Sequence, residues 1–381
     1  MRHERSTKPQ AAPSSLLQSS FRCIACLVIV FSTGFSGVAI AVTGDESESS
    51  SLKQGPLCDG AASSPTMFAP RSRPAQQILD ITWLVIGIVG ALGVIVMAMI
   101  VFSIIRYSHK QGDENRDEDE PPQIYGSNPI ELAWTVLPIL IVFVLFMVSA
   151  RGIFEIEKET PPEGSLEVTV VGHRWWWEFD YPEYGFVTAN ELHIPIGDDG
   201  AEIPTFLSLQ SADVIHSFWV PQLAGKTDVV PNRDKNHLWL QPNMAGKYVG
   251  QCAEYCGGAH ANMLITVIVE PESEFKKWVA EQQKPAVEDS KVAKGRHVFE
   301  RTACINCHTI RGTVANGTFA PDLTHFMSRT VIGAGAAPNE PKYLRQWIHD
   351  PQTIKPGCDM PAMKLTNEEI ELVCAYLETL K

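Results

Sequence analysis

Gly250-Gln251-Cys252-Ala253-Glu254-Tyr255-Cys256-Gly257-Gly258-Ala259-His260-Ala261-Asn262-Met263 decides how this chain is read. Two thiols, an imidazole and a thioether fall within one short segment. Soft sulfur with imidazole selects copper or another thiophilic metal, whereas carboxylate-rich sites suit magnesium or calcium. The glycines permit the tight turns and close backbone approach of a metal loop. Two plainer readings stand beside copper: a structural zinc knuckle and a disulfide loop. Zinc sites rarely use methionine, and the segment lacks the second Cys-x-x-Cys or His pair of a zinc finger.

From Leu166 onward the hydrophobic period is two. Residues 166–171, 205–209, 237–240 and 264–269 read as strands, separated by Gly, Pro and Asp/Asn turns. Short strands over about a hundred residues suggest a β-sandwich. Gly172-His173-Arg174-Trp175-Trp176-Trp177-Glu178-Phe179 packs three indoles together. On a strand, Trp175 and Trp177 share one face and Trp176 takes the other, so at least one indole is exposed, or pressed on a partner or the membrane interface.

Downstream, 271–290 reads as a helix end and a charged linker. Beyond it, Cys304-Ile305-Asn306-Cys307-His308 has the spacing of covalent c-type haem attachment. Two thiols add to the haem vinyls and the adjacent His ligates iron. A thioredoxin-like pair is the other reading, but no βαβ pattern surrounds it. The sixth ligand is expected to be a Met, which raises the potential. Met327, Met360 and Met363 are available. Pro356-Gly357-Cys358-Asp359-Met360-Pro361 resembles the Met-Pro loop of bacterial cytochromes c, which favours Met360, with Met363 next. Thr366 to Glu369 reads as a capping box opening the last helix. Gly295, Phe299 and Tyr376 match the crossing of first and last helices in cytochrome c.

Towards the N-terminus lie two long apolar runs. Ile81 to Ile105 spans roughly 37 Å as a helix, enough to cross a bilayer. Leu132 to Ser149 spans roughly 27 Å and contains Pro138, which a membrane helix tolerates. The pair reads as a transmembrane hairpin with an acidic loop. Basic residues ahead of a run from Ile24 to Val42 read as a secretory signal that a cut after Ala41 would remove, a retained membrane anchor being the other reading. A signal followed by two spans puts everything after Arg151 outside. The net charge of −13 argues against nucleic acid and favours basic partners. Nine cysteines are too few for a disulfide scaffold. Cys58, Cys358 and Cys374 receive no role.

The copper-type loop resembles that of cytochrome c oxidase subunit II, Cys-x-Glu-x-Cys-x-x-x-His-x-x-Met, and the resemblance covers nearly the whole chain after the first forty or so residues. It implies a dinuclear copper (CuA) centre held by His216, Cys252, Cys256, His260, Met263 and the Glu254 carbonyl. It also implies a magnesium or manganese ion, shared with subunit I through the Glu254 side chain. Trp175 becomes the electron entry point, although Arg174 and Trp176 stand where relatives often have Gln and Tyr. Glu131, in a close match to Glu-x-x-Trp-Thr-x-x-Pro, becomes the entrance of a proton channel.

With Cys304, Cys307, His308 and Met360 as the haem c residues, the chain resembles subunit II of a caa-type oxidase with a fused cytochrome c. The expected fold is a multidomain membrane protein. It has a signal at 1–41, a lead-in at 42–79 and a two-helix transmembrane hairpin at 80–150. A cupredoxin-like β-sandwich follows at 151–273, a linker at 274–290 and an all-α cytochrome c domain at 291–381. The resemblance implies cytochrome-c oxidase activity as the electron-entry subunit. Oxygen reduction and coupled proton translocation fall to subunit I, since no His cluster for a haem–copper site exists here. Expected partners are subunit I, other oxidase subunits, the membrane, and a donor such as a cytochrome c or an upstream quinol-oxidising complex. The expected location is a bacterial inner membrane, with both redox domains on the periplasmic side. Fusion is expected to raise the donor's effective concentration without any new contact.

Two other classes compete. A membrane-anchored haem c/CuA carrier could serve another reductase, but Glu131 and the hairpin make sense against subunit I. A quinol-oxidase subunit re-using the scaffold typically lacks the copper ligands, and all are present here.

Overall fold

The computed structural model describes residues 65–108, 125–157, 160–232, 236–287 and 289–381. The expected signal, Cys58 and the acidic hairpin loop lie outside the described residues.

Two long helices come first, α1 (Arg73–Tyr107) and α2 (Asn128–Ile156). Both are long and apolar enough to cross a membrane. Each outruns its apolar core: α1 begins well before Ile81, and α2 runs unbroken through Pro138. Their near ends are fastened together, with Gln77 donating to Glu155 at 2.8 Å and Gly152 lying against Ile81. They are also fastened to the following domain. The Trp239 indole donates to the Ile156 carbonyl at 2.6 Å, and Ser72 bridges to Pro242.

That domain is a sandwich of two five-stranded sheets. One contains β1 (Leu166–His173), β2 (Trp176–Tyr181), β3 (Phe186–Ala189), β5 (Thr205–Ser211) and β8 (Asn236–Leu240), in the order β3-β2-β1-β5-β8. The other contains β4 (Glu191–Ile196), β6 (His216–Trp219), β7 (Thr227–Val229), β9 (Gly246–Cys252) and β10 (Leu264–Pro271), in the order β4-β10-β9-β6-β7. The parallel pairs β1·β5 and β4·β10 mark the crossovers of a Greek key. Inward residues of both sheets, among them Trp177, Phe179, Tyr181, Leu207, Phe218 and Ile265, form one core. Burying these large apolar faces is the chief force holding the sheets together.

Most of the stretch expected as linker is helix α3 (Glu272–Gln282). Its Phe275 and Val279 enter the sandwich core, and Trp278 stacks on His193 at 4.1 Å. The C-terminal domain then builds a second core around α4 (Ala293–Arg301), the single turn α5 (Cys304–Cys307), α6 (Pro341–His349) and α7 (Asn367–Leu377). It is not purely helical, because Val331–Ile332 and Ala337–Pro338 pair as a short ribbon. Gly295 lets α4 and α7 touch: a Cβ there would lie 1.9 Å from the Leu372 carbonyl oxygen. The capping box forms as read, with the Thr366 hydroxyl accepting from Glu369 N.

Candidate metal centre and haem cleft

The loop between β9 and β10 turns back on itself and brings the soft donors together. Cys252 Sγ lies 3.8 Å from Cys256 Sγ, which lies 3.5 Å from His260 Nδ1 and 3.8 Å from Met263 Sδ. His216, at the start of β6, points Nδ1 at Cys252 Sγ, 3.9 Å away. The Glu254 carbonyl faces the same sulfur at 3.2 Å. His216, Cys252, Cys256 and Met263 are buried, and His260 is half-buried. The six groups singled out in the sequence therefore converge.

Electrostatics prepare the thiols. They share a hydrogen bond, which pulls Cys252 down to about 3, with the neighbouring His216 adding to the effect. The same bond, with burial, pushes Cys256 up. A thiolate is the form that binds metal. Burial opposes protonation of His216, but the Asp213 carboxylate and Cys252 outweigh it and raise its pKa.

Asp213 was not singled out from the sequence, yet it orients this imidazole. Its Oδ1 lies 2.8 Å from His216 Nε2, which leaves Nδ1 to face the sulfur. Burial disfavours the Asp213 carboxylate, but bonds from His216, Val214 N and Arg174 N hold it below the usual range. The available signal was its spacing, three residues before His216. Gly172 also belongs to the site, since a Cβ there would come within 2.8 Å of the His216 ring.

The three indoles separate. Arg174 and Trp175 form the turn between β1 and β2, so Trp175 does not share a strand face with Trp177. Trp177 is fully buried in the sandwich, edge-on to Phe218 at 5.6 Å. Trp176 is buried against Ala189 and Ala334, so no indole of the three is openly exposed. Half-buried Trp175 lies over the metal loop. Its Nε1 donates to the Cys256 carbonyl at 3.0 Å, and a Cβ on Gly257 would crowd its ring at 3.0 Å.

A cleft lies in front of this turn. Cys307, His308, Leu323, Arg329, Trp347 and Met360 line it on one side, and Arg174, Trp175 and Trp176 close the other. His308 Nδ1 donates to the Pro321 carbonyl at 2.8 Å, which leaves Nε2 as the free donor atom. Burial lowers its pKa, which favours the neutral imidazole. Met363 is not among the lining residues, and Met327 packs against the domain core instead.

Glu131 and the Glu254 side chain are both exposed. Glu131 is exposed in the first turn of α2, where its carboxylate accepts from Ser127 N at 3.2 Å. The exposed Glu254 carboxylate accepts from Tyr255 N at 3.2 Å. Cys374 is a core residue of the C-terminal domain. The Cys358 thiol borders the cleft and meets Gln352 Nε2 at 3.3 Å.

A membrane hairpin, a sandwich bearing a soft-donor loop and a Cys-x-x-Cys-His cleft define a membrane-anchored electron-transfer protein with two redox sites. Residues 61–151 match the transmembrane domain of cytochrome c oxidase subunit II, 166–270 its periplasmic domain, and 292–381 cytochrome c. Cytochrome c oxidase subunit 2 of Alkalihalophilus pseudofirmus is 36% identical over 83% of this chain and 91% of its own. The chain belongs to the cytochrome c oxidase subunit II family. Quinol oxidase subunit 2 of Bacillus subtilis is 30% identical over 60% of this chain and 69% of its own. The periplasmic domain of subunit II of the Bradyrhizobium japonicum oxidase is 28% identical, covers 32% of this chain and 97% of its own, and superposes with a TM-score of 0.30. Membership implies copper in the sandwich and haem c in the C-terminal domain. The donors fit both groups: buried thiol, imidazole and thioether for copper, and a neutral His with free Nε2 for haem iron.

Proposed function

We propose that this chain is the electron-entry subunit of a caa-type cytochrome c oxidase, with both redox domains on the periplasmic side. His216, Cys252, Cys256, His260, Met263 and the Glu254 carbonyl hold the copper pair. Cys304 and Cys307 would carry the haem, and His308 and Met360 would ligate its iron. When bound, these groups supply one-electron redox chemistry, accepting from an external donor and delivering to subunit I. The chain's own residues keep each site rigid, so little must move when charge changes. Asp213 and the Pro321 carbonyl each fix one imidazole by its second nitrogen.

One observation carries the reading. Trp175 lines the haem-type cleft and also bonds to the backbone of metal-loop residue Cys256. That double role is what electron entry at this indole requires. Glu254 is the residue for a shared magnesium or manganese ion, since its exposed carboxylate can join a partner's oxygen donors around the cation. Glu131 serves proton entry into subunit I. A cytochrome c or an upstream quinol-oxidising complex acts as donor.

Metal analysis and electron paramagnetic resonance of the purified full chain test this. The expected result is haem c with a dinuclear copper signal, one unpaired electron spread over both coppers. Zinc, or a mononuclear copper spectrum, overturns it.

A further inference from the structure

Lys355 is 3% exposed, and a buried ammonium costs free energy unless it is fully bonded. Its Nζ donates to the Trp175 carbonyl at 2.5 Å and to the Gly333 carbonyl at 2.8 Å. The first belongs to the sandwich, the second to the cytochrome domain. Burial is thus concentrated where the two domains meet, beside the cleft that Lys355 also lines. The surrounding contacts are continuous. Leu264 N donates to the Ala334 carbonyl at 3.1 Å. Buried Glu191 accepts from Thr330 N, Thr330 Oγ1 and Val331 N. A Cβ on Gly357 would lie 3.7 Å from the Gly258 carbonyl carbon of the metal loop.

We propose that Lys355 is a positioning residue for Trp175, holding the cytochrome domain docked so that the entry turn forms one wall of the haem cleft. This rests on the electron-entry reading above. The domains then act as one fixed relay, not as a tethered donor that docks and departs.

The test uses the complete oxidase. Haem c is photoreduced, its electron transfer to copper is followed, and amide exchange of 174–176 and 330–336 is read by mass spectrometry. In wild type the transfer rate is expected to be independent of solvent viscosity. In Lys355→Met it falls at least about tenfold, the scale of small misplacements. Amide exchange of both segments rises, while the haem and copper spectra stay unchanged. Lys355→Arg restores most of the rate. Wild-type transfer that slows with viscosity overturns the fixed relay even if Lys355→Met does not fold. Unchanged rate and exchange in Lys355→Met overturn the role of Lys355. Absence of a dinuclear copper signal in wild type is a different result, and removes the electron-entry reading itself.

Discussion

Asp213 shows how one side chain can order the proposed metal site without being a ligand itself. Its carboxylate holds His216 Nε2 and so dictates which nitrogen faces the sulfur. Asp213→Asn is expected to weaken copper binding by about 10- to 100-fold, the usual scale for such partners. Copper titration of the full chain checks this, and haem content should not change. Gly172→Ala acts on the same ring from the other side, because its Cβ would come within 2.8 Å of it. It is expected to reduce copper occupancy while leaving haem attachment intact. The loop residues were legible in sequence because soft donors at such spacing have few other uses. Asp213 was not, because an aspartate in a turn usually caps local amides, and only folding brings it onto His216. Trp175 was misplaced for a related reason. Strand periodicity assigned it a sheet face, whereas the β1–β2 turn takes it out of the strand.

The helices of the C-terminal domain were read from local chemistry and behave accordingly. Thr366→Ala removes the cap of α7 and is expected to cost about 1 kcal/mol, measured by thermal melting monitored at the haem. Its partner Glu369 is held below the usual carboxylate range, first by Thr366 N and then by the Thr366 hydroxyl. The folded pKa lies below the unfolded one, so this contribution is complete above an unfolded value of about 4.3 and is lost as pH falls through the folded value. Melting of Glu369→Gln should therefore depend less on pH in that acid range. Gly295→Ala drives a methyl into the Leu372 carbonyl where α4 and α7 cross. A destabilisation of about 1–3 kcal/mol is expected, and more if the helices cannot separate. The extent of α3 was less legible. Its charged exposed face resembled a linker, and only Phe275 and Val279 in the sandwich core show which domain owns it.

At the scale of the molecule, the two redox domains share an interface that sequence could not show. Fusion alone predicted proximity without contact. The contacts depend on backbone carbonyls at Trp175, Gly333 and Ala334, and carbonyls leave no trace in side-chain patterns. The interface also divides the electron path into two steps with different sensitivity to dissolved ions. An external donor meets an open surface of a chain carrying a net charge of −13. Its approach is screened within about 10 Å at 0.1 M ionic strength. Reduction of haem c by a basic donor should therefore slow steeply as sodium chloride is added. Lys355 is buried where the two domains meet, and counter-ions do not reach it there. Stopped-flow and flash measurements on one sample should accordingly diverge: the outer step fades with added salt, and the inner step keeps its pace.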